Sequence, residues 1–90
     1  MEIEFAPAKS QSNLKKHGVS FDEAVTCLFD DAVIVREDPD ALDEQRFVAL
    51  GMSDQWRLLN VVHTMRGDTV RLISAWKANQ PQRRRYEQQF

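Results

Sequence analysis

Residues 57–78 read RLLNVVHTMRGDTVRLISAWKA. The stretch predicts a β-hairpin: an apolar run, Leu58 to Val62, climbs to a turn at Arg66-Gly67-Asp68, and a second run, Thr69 to Trp76, descends. Gly67-Asp68 suits a tight turn because glycine tolerates positive φ and aspartate can bond the turn backbone. Alternate residues of a strand share a face. His63 is therefore expected with Leu59 and Val61, and Arg71 with Ile73, Ala75 and Lys77. Ser74 and Trp76 would face the other way with Val70 and Leu72. The register across the hairpin is not fixed by the sequence.

Before this hairpin, Glu2 to Phe5 alternates as a short strand. Lys9 to Lys16 predicts a helix capped by Ser10, with Leu14 turned inward and Gly18 stopping it. Ser20-Phe21-Asp22-Glu23 is a capping box: the Ser20 hydroxyl accepts from the Glu23 amide while the Glu23 side chain reaches back. Phe21, Ala24, Val25, Leu28 and Phe29 carry that second helix to Phe29. Ala32 to Val35 and Gln45 to Gly51 read as strands around an acidic loop, Arg36 to Glu44. After the hairpin, Pro81 suits the first turn of a C-terminal helix whose only apolar anchors are Tyr86 and Phe90. Short connections demand antiparallel pairing. The result is one α+β domain, residues 1–90, with the first two helices on one sheet face and the other face partly open.

The chain has 90 residues, 42% hydrophobic and 29% charged, which suits a folded domain with a thin core. No apolar run reaches membrane-spanning length, and Met1-Glu2-Ile3-Glu4 does not start a signal peptide, so a cytoplasmic protein is expected. Cys27, the single cysteine, is expected as a buried thiol in a reducing compartment. Net charge is −2 but uneven: residues 1–56 hold 5 Lys/Arg against 12 Asp/Glu, and residues 57–90 hold 7 against 2. The basic end suits a polyanion and the acidic end a basic partner, unless the two merely attract each other within the fold.

Glycine-rich phosphate loops, paired-cysteine motifs and nucleophile elbows are absent, and His17, His63 and Cys27 lack zinc-like spacing, so no cofactor is expected. The remaining chemistry is cationic. Arginine and lysine beside a phosphodiester would bind its oxygens and stabilise developing charge. His63, with an ordinary pKa near ~6.5, could move a proton. Arg57 and Arg66 add charge on the hairpin, and Trp76 could stack on a base. Arg83, Arg84 and Arg85 could meet nucleic acid or an acidic partner. The plain alternatives are a satisfied sheet histidine, a half-buried aromatic and solvated basic faces.

KHGVSFDEA at 16–24, QRFVALG at 45–51, RLL at 57–59, VRLISAWKA at 70–78 and RRRYE at 83–87 resemble the BrnT family of bacterial ribonuclease toxins across nearly the whole chain. The resemblance implies a RelE-like α+β fold and a metal-independent endoribonuclease that stops translation by RNA cleavage. It implies a cognate BrnA-like antitoxin with a ribbon-helix-helix domain, a hetero-oligomeric complex, and promoter DNA bound only through that antitoxin. Lys16, His17, Gly18, Arg46, Gly51, Arg71, Ser74 and Lys77 match the family pattern. Ala6, His63, Met65, Trp76 and Gln82 depart from it, where the family favours Asp, Tyr, an acidic residue, Arg and Glu. The expected catalytic set is Arg46 and Arg71 on phosphate, Lys77 on developing charge and His63 as proton carrier. His17, Arg66, Ser74 and Trp76 are expected against RNA, and Arg83, Arg84, Arg85 and Tyr86 against the antitoxin. The alternative is a catalytically weak or inactive member acting as the partner subunit of an autorepressing complex. A third reading is a small nucleic-acid-binding module without an antitoxin.

Overall fold

A computed structural model describes all 90 residues. In chain order it runs β1 (Glu2–Glu4), α1 (Pro7–His17), α2 (Phe21–Cys27), β2 (Ile34–Glu37), β3 (Phe47–Met52), β4 (Leu58–Arg66), β5 (Thr69–Lys77) and α3 (Gln80–Glu87). The five strands form one sheet in the order β1-β5-β4-β3-β2. All neighbours are antiparallel except β1, which lies parallel to β5. The fold is α+β, as the sequence predicts, and β2 and β3 start two residues later than expected.

The central hairpin closes with Arg66 opposite Thr69, so Gly67 and Asp68 alone make the loop. Gly67 has φ +62° and Asp68 does not have positive φ, the pattern of a II′ turn, which matches the right-handed twist of the two legs. Further down, Val62 faces Ser74 but the next residue, His63, faces Leu72. Ile73 is thus an extra residue on β5, a β-bulge. The bulge reverses the expected alternation. Val70, Leu72 and Ala75 all join the main core with Leu59 and Val61. Arg71, opposite Thr64, therefore shares a face with Ser74, opposite Val62, and not with Ala75 and Lys77.

That main core lies between the sheet and α2, built from Phe21, Ala24 and Cys27 with Val19 just before the helix. Here Gly51 lets β3 and the end of α2 meet: a Cβ on it would sit 2.6 Å from the Cys27 carbonyl oxygen. A second, smaller cluster on the opposite sheet face packs Tyr86 of α3 onto Leu50 and Leu58. Helix α3 is better fixed than its apolar content predicts. Asn79 and Gln82 form a reciprocal capping box, the Gln82 side chain accepts from Asn60, and Tyr86 donates to Asp30. Phe90 only touches the Tyr86 ring edge and is exposed.

Helix α1 departs most from expectation. Leu14 is 51% exposed, and the buried residues of α1 are Ser10 and Asn13. Asn13 Nδ2 donates to the carbonyls of Val19 and Ala75, both at 2.8 Å. Its Oδ1 accepts from the Ala75 amide at 3.2 Å and the Ser74 hydroxyl at 3.3 Å. Ser10 is no cap; its Oγ accepts from the Phe21 amide at 2.9 Å. The helix begins at Pro7, and Ala6 at the cap position offers no side-chain bond. Helix α1 therefore runs beside the edge of β5, tied by polar bonds, instead of sharing the apolar face with α2.

Replacing Asn13 by Ala leaves three buried backbone groups unpaired, so stability should fall by about 3 kcal/mol at ~1 kcal/mol or more per group. Leu14→Ala should change it by less than about 0.5 kcal/mol. Urea unfolding of the two variants measures the difference; a larger loss at Leu14 would place α1 by apolar packing instead.

Candidate functional site

Alternation along β3, β4 and β5 sets two chemically different faces. The α2 face holds His63 and Lys77, opposite Leu72 and Leu59 respectively. The α3 face holds Thr64, Arg66, Arg71, Ser74 and Trp76. Arg46, directly before β3, extends the row of Val48 and Leu50 on that same face. Since α3 covers only the end near Leu50 and Leu58, the arginines toward the hairpin turn keep access to solvent: Arg66 is exposed, and Arg46 and Arg71 are half-buried. The expected catalytic set is thus divided: Arg46 and Arg71 share a face with Ser74, Trp76 and Arg66, while His63 and Lys77 lie on the other.

His63 is 7% exposed and stacks on Phe47, with ring centroids 5.7 Å apart. Burial pushes its pKa below 6.5, and the weak contact of Nδ1 with the Val61 carbonyl does not restore it. The ring is neutral at pH 7 and shielded from a large substrate. His17 occupies the better position. It ends α1, is half-buried, and lies 6.3 Å from the Trp76 ring. His17 and Ser74 line a groove of about 220 Å³ with Lys9, Ser12, Lys16 and Ile73. Lys9 and Ser12 are not among the residues expected from the sequence. Their signal is the 9, 12, 13, 16 spacing, one stripe of a helix, hidden by the choice of Leu14 as the inward residue.

The remaining arginines divide into structural and free groups. Arg57 is structural: it holds both carboxylate oxygens of Glu23, which is 4% exposed, and donates to the Gly18 carbonyl at 3.1 Å. The Glu23 carboxyl also accepts from the Ser53 hydroxyl at 2.7 Å. The capping box is therefore half-formed: Ser20 accepts from the Glu23 amide at 3.1 Å, but the Glu23 side chain turns to Arg57. Arg71 Nη1 lies 3.2 Å from Glu4 Oε1, on the neighbouring strand. Arg83, Arg84 and Arg85 are exposed on α3, whereas Tyr86 is 6% exposed and serves the helix's own docking. Burial and the adjacent Asp30 push the Tyr86 hydroxyl up to about 12. Cys27 is buried and its thiol is likewise pushed to about 12, first by burial and then by nearby carboxylates.

No group of three or more His, Cys, Asp or Glu side chains is placed to hold a metal ion. No helix is long and apolar enough to cross a membrane. What the open face and the groove can do is bind a polyanion and present an imidazole and hydroxyls to it.

A family model described as the ribonuclease toxin BrnT of type II toxin–antitoxin systems matches residues 5–81. Among solved structures, the 1.1 Å crystal structure of the Brucella abortus ribonuclease toxin BrnT superposes with a TM-score of 0.65 at 25% identity. The match covers 89% of this chain and 99% of that one. No curated protein matches the sequence.

The Glu23–Arg57 pair makes a pH prediction. Arg57 donating to Glu23 is the largest influence on this carboxyl and outweighs burial, holding its pKa below the ordinary 4.5. A depressed carboxyl contributes stability that is complete above 4.5 and is lost as pH falls through the lower folded value. Glu23→Gln should therefore cost about 3 kcal/mol at pH 7, the low end for a broken buried pair because Arg57 is partly solvated. It should also flatten the loss of stability between pH 5 and 2. Denaturant melts across that range check both, and an acid limb as steep as in the parent would assign the loss to other carboxylates.

Proposed function

The chain belongs to the BrnT family of ribonuclease toxins of type II toxin–antitoxin systems, and on that premise we propose that it is a cytoplasmic, metal-independent endoribonuclease that blocks translation. The observation that carries this reading is the open sheet face. Arg46, Arg66 and Arg71 share it with Ser74 and Trp76, and His17 stands at its rim.

The chemistry is internal transesterification. The 2′-hydroxyl oxygen attacks phosphorus, the bond from phosphorus to the 5′ oxygen breaks, and a 2′,3′-cyclic phosphate forms. His17 takes the 2′ proton, and solvent protonates the departing 5′ oxygen. Arg71 and Arg46 stabilise the charge growing on the non-bridging oxygens. Trp76 offers a flat surface to a flanking base. His63 and Lys77 are left out of the direct chemistry by their face; His63 shapes the sheet end through Phe47, and Lys77 adds to the positive potential that keeps Glu23 ionised.

Purified protein should cut single-stranded RNA in the presence of EDTA, leaving cyclic-phosphate ends. Arg71→Ala and His17→Gln should each slow cleavage by about 10²-fold. His63→Tyr should stay within a few-fold of the parent rate. A full loss at His63 with none at His17 would return the proton carrier to the sheet. One observation favours the alternative of a catalytically weak partner subunit: Glu4 holds Arg71. If so, Glu4→Gln should release Arg71 and raise a low cleavage rate. If RNA stays intact with both the parent and Glu4→Gln, the enzyme reading is wrong.

The type II family implies a protein antitoxin. The proposed one is a BrnA-like ribbon-helix-helix protein whose acidic segment meets Arg83, Arg84 and Arg85 and closes the RNA path in the complex. Antitoxin should raise the melting temperature, by roughly 4 kcal/mol of stabilisation at a thousand-fold excess over Kd. Reversing the three charges should weaken the complex and reduce its salt sensitivity. Equal affinity of parent and reversal at low and high salt would move the interface off α3.

A further inference from the structure

We propose that the gap along the outer edge of β5, between the end of β1 and Asn13, is a subsite for the phosphodiester backbone of RNA, gripped by Lys9 and Lys16. The proposal rests on the ribonuclease reading and adds residues to it that neither the hairpin nor the open face contains.

The gap follows from two bonded limits. Strand β1 pairs with β5 only as far as Glu4 opposite Arg71. Asn13 then takes the amide and carbonyl of Ala75. Between these limits lie Leu72 and the bulge residue Ile73, which neither the β1 ladder nor Asn13 pairs, while Ser74 touches Asn13 only through its hydroxyl. The groove over this edge is lined by Lys9, Ser12, Asn13, Lys16, His17 and Ser74 besides Ile73, with no acidic residue among them. Ile73 is its one apolar residue.

Helix α1 presents the lysines in register. Lys9 and Lys16 are two turns apart on one stripe, about 10.5 Å along the axis, with Ser12 between them. Neither has a carboxylate partner; the ion pairs of the fold are Arg57–Glu23 and Arg71–Glu4. The sequence of α1, PAKSQSNLKKH, holds no acidic residue. Two lysines without ion-pair partners, lining one polar groove, suit a ligand with repeated anions. A peptide strand is a poorer occupant, since two residues between the β1 ladder and Asn13 give little length for strand addition and the lining is not apolar. The His17 ring joins this groove to Trp76, so a chain held by the lysines passes directly to the open face.

Lys15 supplies an internal control. It sits next to Lys16 in sequence but lines a different depression, with Ala8, Gln11, Ser12 and Leu14; Ser12 borders both, whereas Lys15 borders only this one. Binding of a labelled 2′-O-methyl RNA oligonucleotide, which cannot be cleaved, is measured by anisotropy at several salt concentrations. Lys9→Glu with Lys16→Glu should weaken binding at least tenfold and reduce the salt slope by roughly 1.4, at ~0.7 per lost phosphate contact. Lys15→Glu should change the slope by less than half of one contact. Equal losses from Lys15→Glu and from each groove lysine would overturn the subsite in favour of diffuse charge. Intact RNA affinity with lost antitoxin binding would make the groove a protein surface. If the parent cleaves RNA and the double variant keeps its KM and salt slope, the subsite fails alone. If the parent neither binds nor cleaves RNA, the ribonuclease reading fails with it.

Discussion

The side chain of Asn13 uses its whole hydrogen-bonding capacity at once: two donors on the Val19 and Ala75 carbonyls, two acceptor positions on the Ala75 amide and the Ser74 hydroxyl. For the outer edge of β5 it stands in for a neighbouring strand. A buried amide left half-satisfied would be costly, so this geometry tolerates little sliding of α1 along the edge. Because Asn13 is fixed, Ser10 reaches the Phe21 amide and α2 starts at the right height over the sheet. The same bond leaves uncovered the short length of β5 that Asn13 does not reach. Edge protection and groove therefore have one cause.

The bulge at Ile73 has the second large consequence. A one-residue slip in a strand moves every following side chain to the other face. In β5 the slip occurs between two groups that the sequence places together, so Arg71 separates from Lys77, and Val70 and Leu72 join Ala75 in the core. Hydrophobic burial explains the outcome. Without the extra residue either Val70 and Leu72 or Ala75 would leave the core face, and Val70 with Leu72 would expose the larger area. The stretch VRLIS carries apolar residues at both parities, so it can be read either way until the Val62–Ser74 and His63–Leu72 pairings are known.

The parts of the fold legible in the sequence are those governed by local signals. Gly67-Asp68, Ser20 followed by Glu23, Gly18 after His17, and Pro81 after Asn79 each mark an element boundary through backbone chemistry close at hand. The element order and the antiparallel hairpin follow. What was not legible depends on contacts distant in sequence. Apolar character alone points to Leu14 as the inward residue of α1. Asn13 won because Ala75, 62 residues away, offered a strand edge. Glu23 likewise left its cap for Arg57, 34 residues on, because a bidentate charged partner outweighs one neutral amide. The site suffered more than the fold, since it lies where α1, β5 and the bulge meet, and all three departures fall there.

Both flanking helices are held by few, directional bonds. Helix α1 gives no side chain to either apolar cluster, and α3 gives only Tyr86, whose hydroxyl shares Asp30 with the amides of Met52 and Ala32. For Asp30, burial is the largest single influence and raises its pKa, but these three donors together hold the carboxyl below its ordinary 3.8, so the anchor persists at neutral pH. Net hydrogen bonds contribute only about 1 kcal/mol each, whereas the α2 core rests on several fully buried side chains. Local opening should therefore involve α1 and α3 before α2 and the central hairpin. Those are the two elements that carry the groove lysines and the exposed arginines. A polyanion across α1, or an acidic partner across α3, would bind the closed arrangement and suppress that opening. The cationic surface is thereby placed on the parts of the molecule whose order a ligand can most readily change, while the sheet beneath them stays fixed.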